Sequence, residues 1–173
     1  MAPATNYMSF MIASIDAILA SQNAALAAES LGLGVCYMGT TLASAHVIGE
    51  VLELPENVVP VVGFSLGYPD EVPERRKRLN RDAFVHYEKY RDYSDEQLSA
   101  IYAHKEQEGL RRYSSNRELA KKIKEMGIQN LAQIYTQVKY TEESHLKYSD
   151  DLLSFIGEQG FLKTLPNVNT DLK

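Results

Sequence analysis

The sequence predicts an α+β chain: helices packed on a few buried strands up to about residue 93, then a long helical C-terminal extension. Three observations carry this. An alanine-rich run, "SIDAILASQNAALAAESL" (14–31), repeats apolar residues at helical spacing. A nearly unbroken apolar stretch, "VVPVVGFSLG" (58–67), is bounded by Asn57 and closed by Gly67, as a buried strand would be. Beyond residue 93 the chain turns to charged, tyrosine-rich segments with helix-cap signals.

Taken in order, Ile15, Ile18, Leu19, Leu26 and Leu31 give the first helix an apolar face, and its alanines allow close neighbours. Ser14 is the candidate N-cap, and Gly32 stands where a left-handed residue ends a helix. Val35, Tyr37 and Met38 favour a short buried strand over 34–38. Thr40 or Thr41 caps a second helix running to about Leu54, ahead of Pro55. After the 58–67 strand, "GYPDEVP" reads as a loop from its Gly and two prolines. Ser94 and Gln97 form a capping-box pattern for a helix over about 94–112. Asn116 starts another that ends near Gly127, and "NLAQIYTQVKY" and "TEESHLKYSDDLLSFIGEQ" complete a helical tail. The expected organisation is therefore 1–93 as core and 94–173 as helical extension.

At 173 residues the chain holds one core of ordinary size. Its composition, 45% hydrophobic and 24% charged, is that of a globular protein. A single cysteine, Cys36, excludes an internal disulfide, fits a reducing compartment and reads as a small core residue. The apolar N-terminus lacks the positive flank of a signal peptide. No uninterrupted apolar run reaches the roughly 20 residues of a membrane span. The expectation is a cytoplasmic protein without a membrane partner.

Charge placement says more than the net of −5. Residues 1–70 contain six acidic residues and not one Lys or Arg; all 18 bases come later. A stretch this poor in bases makes little ordinary solvated surface, since Lys and Arg dominate exposed positions. Something else should cover it: the tail, a second subunit or further chain.

Few residues offer chemistry of their own. "GLG" at 32–34 begins like a dinucleotide fingerprint, but the next glycine is Gly39, and a helical run precedes it rather than a strand. The four histidines show no spacing for a metal site, and neither a Ser–His–Asp set nor a carboxylate pair stands out. No catalytic side chain and no metal ligand is assigned. The densest positive charge is Arg75, Arg76, Lys77, Arg78 and Arg81. Such a run is ordinarily a solvated loop. Nucleic acid is a poor partner for an acidic chain with no aromatic ladder. Phosphate suits it better, because a guanidinium fork matches phosphate oxygens. A chain without reactive side chains either is not an enzyme or delegates the reaction to a cofactor.

The order "DAILASQNAALAAESLGLGVCYMG", "LELPENVVPVVGFSLGYPDEVPERRKRL", "VHYEKY" resembles the C-terminal half of FMN-dependent nitroreductases, especially the oxygen-insensitive NADPH-using type. The resemblance covers about residues 16–90. Each motif alone is weak, and the ordered set is specific. It implies a nitroreductase-like core and a homodimer, with the extension wrapping the partner subunit. It also implies FMN as cofactor, NADPH or NADH as co-substrate, and a small-molecule electron acceptor: a nitroaromatic, a quinone or free flavin. By the same resemblance Tyr37, Met38, Gly39 and Thr40 run past the flavin ring, and Arg76 and Arg78, with Lys77 between them, bind the FMN phosphate. The family's N-terminal phosphate motif has no counterpart here. The alternative implied is a truncated, non-catalytic piece acting only in association.

Overall fold

Asn6 opens the first helix. In the computed structural model, which describes residues 5–72 and 74–162, the Asn6 side chain accepts from the Ser9 N–H at 3.0 Å. Ser9 Oγ in turn accepts from the Asn6 N–H at 3.0 Å. This reciprocal box starts α1 (Tyr7–Ser30) upstream of the expected Ser14 cap. Ser14 instead lies inside the helix and donates to the Phe10 carbonyl at 2.7 Å. The end is where the sequence put it: Gly32 takes φ +79°, and Leu33 N–H reaches back to the Ala28 carbonyl.

Two strands follow. β1 (Gly34–Tyr37) and β2 (Phe64–Gly67) pair antiparallel, with Val35 opposite Leu66 and Tyr37 opposite Phe64. The rings of that last pair meet edge-on at 5.5 Å. The 58–67 stretch is therefore not one strand buried on both faces. Only its last four residues join the ladder, and three of those are exposed. Burial of the rest comes from helices: Val59 and Val61 pack on Phe10, Ile156 and Phe161. Val58 N–H also donates to Gln159 Oε1 at 3.2 Å. Cys36 is exposed, not a core residue, because β1 has a strand on one edge and no layer over its second half.

The expected second helix divides. A 3₁₀ turn (Leu42–Ser44) leads into α2 (Ala45–Val51), and Thr41 makes no capping bond. Its hydroxyl donates to the Met38 carbonyl at 3.0 Å instead. Glu53 at φ 50° and the Leu54 N–H bond to the Gly49 carbonyl close α2 before Pro55.

α3 (Asp95–Ser114) begins on the Ser94–Gln97 capping box read from sequence. Asn116 accepts from Glu118 and Leu119 N–H to start α4 (Arg117–Glu125), which Gly127 terminates at φ +64°. A single turn α5 (Leu131–Gln133) runs into a π-helical stretch (Ile134–Lys139), and α6 (Glu142–Glu158) follows.

Packing divides the chain into two compact units, residues 1–72 with 145–173, and residues 73–144. In the first, Phe10, Ile156 and Phe161 form the core, with the Phe10 and Phe161 rings 5.5 Å apart. In the second, Tyr113, Ile128 and Ile134 form the core, and Ile134 is completely buried. The compositional change near residue 93 and the packing boundary are thus different features; residues 163–173 of the expected extension lie outside the described residues.

The apolar face of α1 is largely exposed, including Ile12, Ile15, Leu19 and Leu26. Among the described residues it is the one helix long and apolar enough to cross a membrane, a test that the core helix of a soluble protein also passes.

Gly49 has a packing reason. A Cβ there would sit 2.7 Å from Cζ of Phe155, whose ring is buried and stacked edge-on to His46 at 4.8 Å. Overpacking of this kind costs ~1–3 kcal/mol. Better helix propensity returns about 1 kcal/mol. Gly49→Ala is expected to lower stability by up to about 2 kcal/mol in urea denaturation; a stabilised variant would show that Phe155 moves freely.

Candidate functional site

In the first unit the candidate residues form one continuous turn. β1 delivers Tyr37 and Met38, and the Met38 N–H donates to the Gly63 carbonyl at 2.8 Å, locking the end of the ladder. Ser21 Oγ lies 3.3 Å from the Tyr37 hydroxyl, tying the strand to α1. Beyond Met38 the chain turns away from β2. Among the described residues, the N–H groups of Gly39 and Thr40 have no protein acceptor. Tyr37 and Met38 are exposed beside them. Two potential donors and two apolar side chains therefore face outward from a turn fixed at its base.

Gly39 needs no glycine for the chain's own sake. Its φ is not in the left-handed region, and a Cβ built on it meets nothing within 4 Å. A residue without a side chain at a position with room for one fits close approach by something outside the chain. A flat ring system presenting acceptor atoms to Gly39 and Thr40 matches that description.

In the second unit the basic run forms an irregular strap beside α3. Arg75, Arg76, Lys77 and Arg78 line a cavity of about 740 Å³, with Lys105 and Arg112 of α3 on its wall. Among the described residues none of these six cations forms an ion pair, although Glu108 also lines the space. Unpaired guanidinium groups converging on one hollow fit phosphate oxygens, which accept from both arms of each fork. Tyr102 and Tyr135 add aromatic wall.

Tyr135 belongs to the π-helical stretch, and its hydroxyl lies 3.3 Å from that of Tyr113. Arg112 lies 5.0 Å over the Tyr113 ring, and Lys139 Nζ 4.6 Å from its centre. Burial pushes the Tyr113 phenol up, but the bond to Tyr135 and the two cations outweigh it and leave Tyr113 below the ordinary range. Tyr135 moves the opposite way, chiefly through the same hydrogen bond. Tyr113 thus holds Arg112 by its face while packing in the core of the unit.

The structure gathers Tyr37, Met38, Gly39 and Thr40 on one turn, and Arg76, Lys77 and Arg78 on one cavity. The two groups belong to different compact units. Sequence reading missed Lys105, Tyr102 and Tyr135. Positions 105, 108 and 112 share a helical face, and that spacing was the available signal.

Residues 5–68 match the family model described as Nitroreductase family. The chain is 39% identical over 87 residues to a protein named FMN reductase (NADPH) from Bacillus subtilis, a match covering 50% of this chain and 35% of that protein. It is 40% identical over 88 residues to an oxygen-insensitive NADPH nitroreductase from Salmonella typhimurium, covering 51% and 36%. The solved structure of a Bacteroides fragilis protein superposes with a TM-score of 0.81 at 35% identity, over 94% of this chain and 63% of that one. Residues 5–68 thus carry a nitroreductase-family match, and the fold of the chain is nitroreductase-like. The matches span about a third of each curated relative's length.

The Tyr113–Tyr135 hydrogen bond invites a direct test. Tyr113→Phe keeps the ring under Arg112 and Lys139 and removes the bond. A loss of about 0.5–1.5 kcal/mol in chemical denaturation is expected. An unchanged midpoint would mean that water replaces the bond without cost.

Proposed function

We propose that the chain serves an FMN-dependent NAD(P)H oxidoreductase of nitroreductase type, carrying electrons from NADPH or NADH to a nitroaromatic, a quinone or free flavin. The observation that carries this reading is the cavity beneath Arg76–Arg78: unpaired cations around a hollow are a receptor for a phosphate group. The names of the two curated relatives, an NADPH-using FMN reductase and an NADPH nitroreductase, supply the chemistry.

In this reading Arg76 and Arg78 grip the FMN phosphate, and Lys77 adds charge between them. The Gly39 and Thr40 N–H groups would serve as donors to the ring, and Tyr37 and Met38 would shield it from water. FMN, when bound, supplies hydride acceptance and electron delivery. The chain's residues bind, orient and exclude water, and none need move a proton. Both substrates would compete for one site on this chain, so ping-pong kinetics are expected.

The exposed apolar face of α1 is best covered by a second subunit, the 94–173 extension wrapping that partner. A base-free first 70 residues fits a homodimer better than free surface. Neither a membrane nor a nucleic acid is a partner in this reading, and the cytoplasm is its place of work.

Colour is the first test. A purified sample that is yellow and bleaches on adding NADPH supports the enzyme; one that stays colourless after incubation with FMN favours a purely associative role. Gly39→Ala sharpens it. Its unfolding free energy should stay within about 0.5 kcal/mol of the parent, as for a site without contacts. Its flavin retention should fall at least tenfold. Arg78→Ala should lose flavin similarly, and full occupancy in both variants would remove the assigned site.

A further inference from the structure

The peptide between Met38 and Gly39 carries the Gly39 N–H, so its orientation decides what the turn offers to a ligand. Gly39 itself does not fix that orientation. Flipping a peptide exchanges the directions of its C=O and N–H and carries the next residue toward positive φ, which glycine adopts freely. The residue that leaves room for close approach therefore also leaves the turn free to present a carbonyl in place of a donor. Gly39 is not among the positive-φ glycines, so the turn stands in one of two accessible states.

Thr41 selects that state. Of the serines and threonines among the described residues it alone is buried. Its Oγ1 donates to the Met38 carbonyl at 3.0 Å. In a trans peptide the C=O and the N–H point in opposite directions. A carbonyl drawn to a buried hydroxyl thus leaves the Gly39 N–H directed away from it, where no protein group among the described residues accepts. The hydroxyl has little room to swing. A Cβ built on Gly63 would stand 3.1 Å from Thr41 Oγ1 and 3.8 Å from its Cγ2, so the side chain packs against the Gly63 backbone. The Gly63 carbonyl also accepts from the Met38 N–H at 2.8 Å, so Met38 is bonded at both its N–H and its C=O. A flip would leave the buried hydroxyl without its acceptor and turn an oxygen toward the ligand's own acceptor atoms.

We infer that Thr41 is a positioning residue for the ring site. Its hydroxyl locks the 38–39 peptide with the N–H outward, so the turn takes a ligand edge of acceptors over an edge of donors. The role toward a ring rests on the flavin reading of this turn; the lock is a property of the chain without a ligand.

Amide exchange in ¹H–¹⁵N spectra of the full chain, without flavin, reads the lock directly. The Gly39 N–H should exchange nearly as an unstructured amide does, and the Met38 N–H at least about tenfold more slowly. A Gly39 N–H as protected as that of Met38 overturns the lock. Thr41→Val then removes the hydroxyl and keeps the shape, while Thr41→Ser keeps the hydroxyl. The Gly39 resonance should shift or broaden in Thr41→Val and stay with the parent in Thr41→Ser, the Phe10 and Ile156 amides marking an intact core in both. In fluorescence titrations with FMN, Thr41→Val should bind at least about tenfold more weakly than the parent and Thr41→Ser within about threefold. Circular dichroism checks folding, and Thr41→Ala replaces Thr41→Val should the latter not fold. An unmoved Gly39 resonance in the hydroxyl-free variant, or equal FMN affinity in it and in Thr41→Ser, overturns the inference. Failure of the parent to bind FMN removes the role toward a ring and the flavin reading together, with the exchange pattern still deciding the lock. FMN binding by the parent with a protected Gly39 N–H removes the lock and leaves the flavin reading standing.

Discussion

Phe10 resting on Ile156 and Phe161 is the contact on which the first unit depends. It joins α1 to α6, the first and last helices among the described residues. Ring burial of this kind stabilises by about 1.5–3 kcal/mol per side chain. Without it the 38–40 turn would hang on a two-stranded ladder, which is marginal alone in water. The apolar segment 58–63 uses the same cluster, with Val59 and Val61 set against it. That anchors the start of β2, and through the Met38–Gly63 bond fixes the base of the turn. The exposed Gly39 and Thr40 are held in place by packing they do not touch.

The second unit solves a different problem. Its core of Tyr113, Ile128 and Ile134 is small, and two of its partly buried neighbours, Leu131 and Tyr135, also line the basic cavity. One face of this segment is therefore both core wall and site wall. The π-helical stretch makes this possible. Its wider turn carries Tyr135 toward Tyr113 while leaving Ile134 fully buried. Arg112 and Lys139 then lie over the Tyr113 ring, so a core residue also orders the cations beside it.

Local signals were legible in the sequence where chemistry acts within a few residues. The Ser94–Gln97 box, the Asn116 cap, the left-handed Gly32 and the helix end at Gly127 stand as read. Signals that depend on distant partners misled. The 58–67 run is apolar enough for a buried strand, yet only Phe64–Gly67 finds a neighbour to bond. Cys36 has the composition of a core residue and lies exposed, because no layer covers that end of β1. Ser14 was a plausible cap, but Asn6 and Ser9 offered a better reciprocal pair upstream. For the site, the basic strap was visible as a cluster of charge. What it faces was not, since Lys105, Tyr135 and His104 reach it through helix periodicity and tertiary folding.

The strap borders two hollows. Arg75 and Lys77 line both hollows, and Arg76 and Arg78 line the larger one. A helix beside it presents a different stripe to each: Lys105 and Arg112 to the larger cavity, His104 and Arg111 to the smaller. Glu108 lines both. A carboxylate shared by two hollows rich in cations tempers each without neutralising either. Four consecutive unpaired cations lining a hollow gain their use when an anion arrives. That is the physical reason to read the strap as a binding element and not as solvated surface.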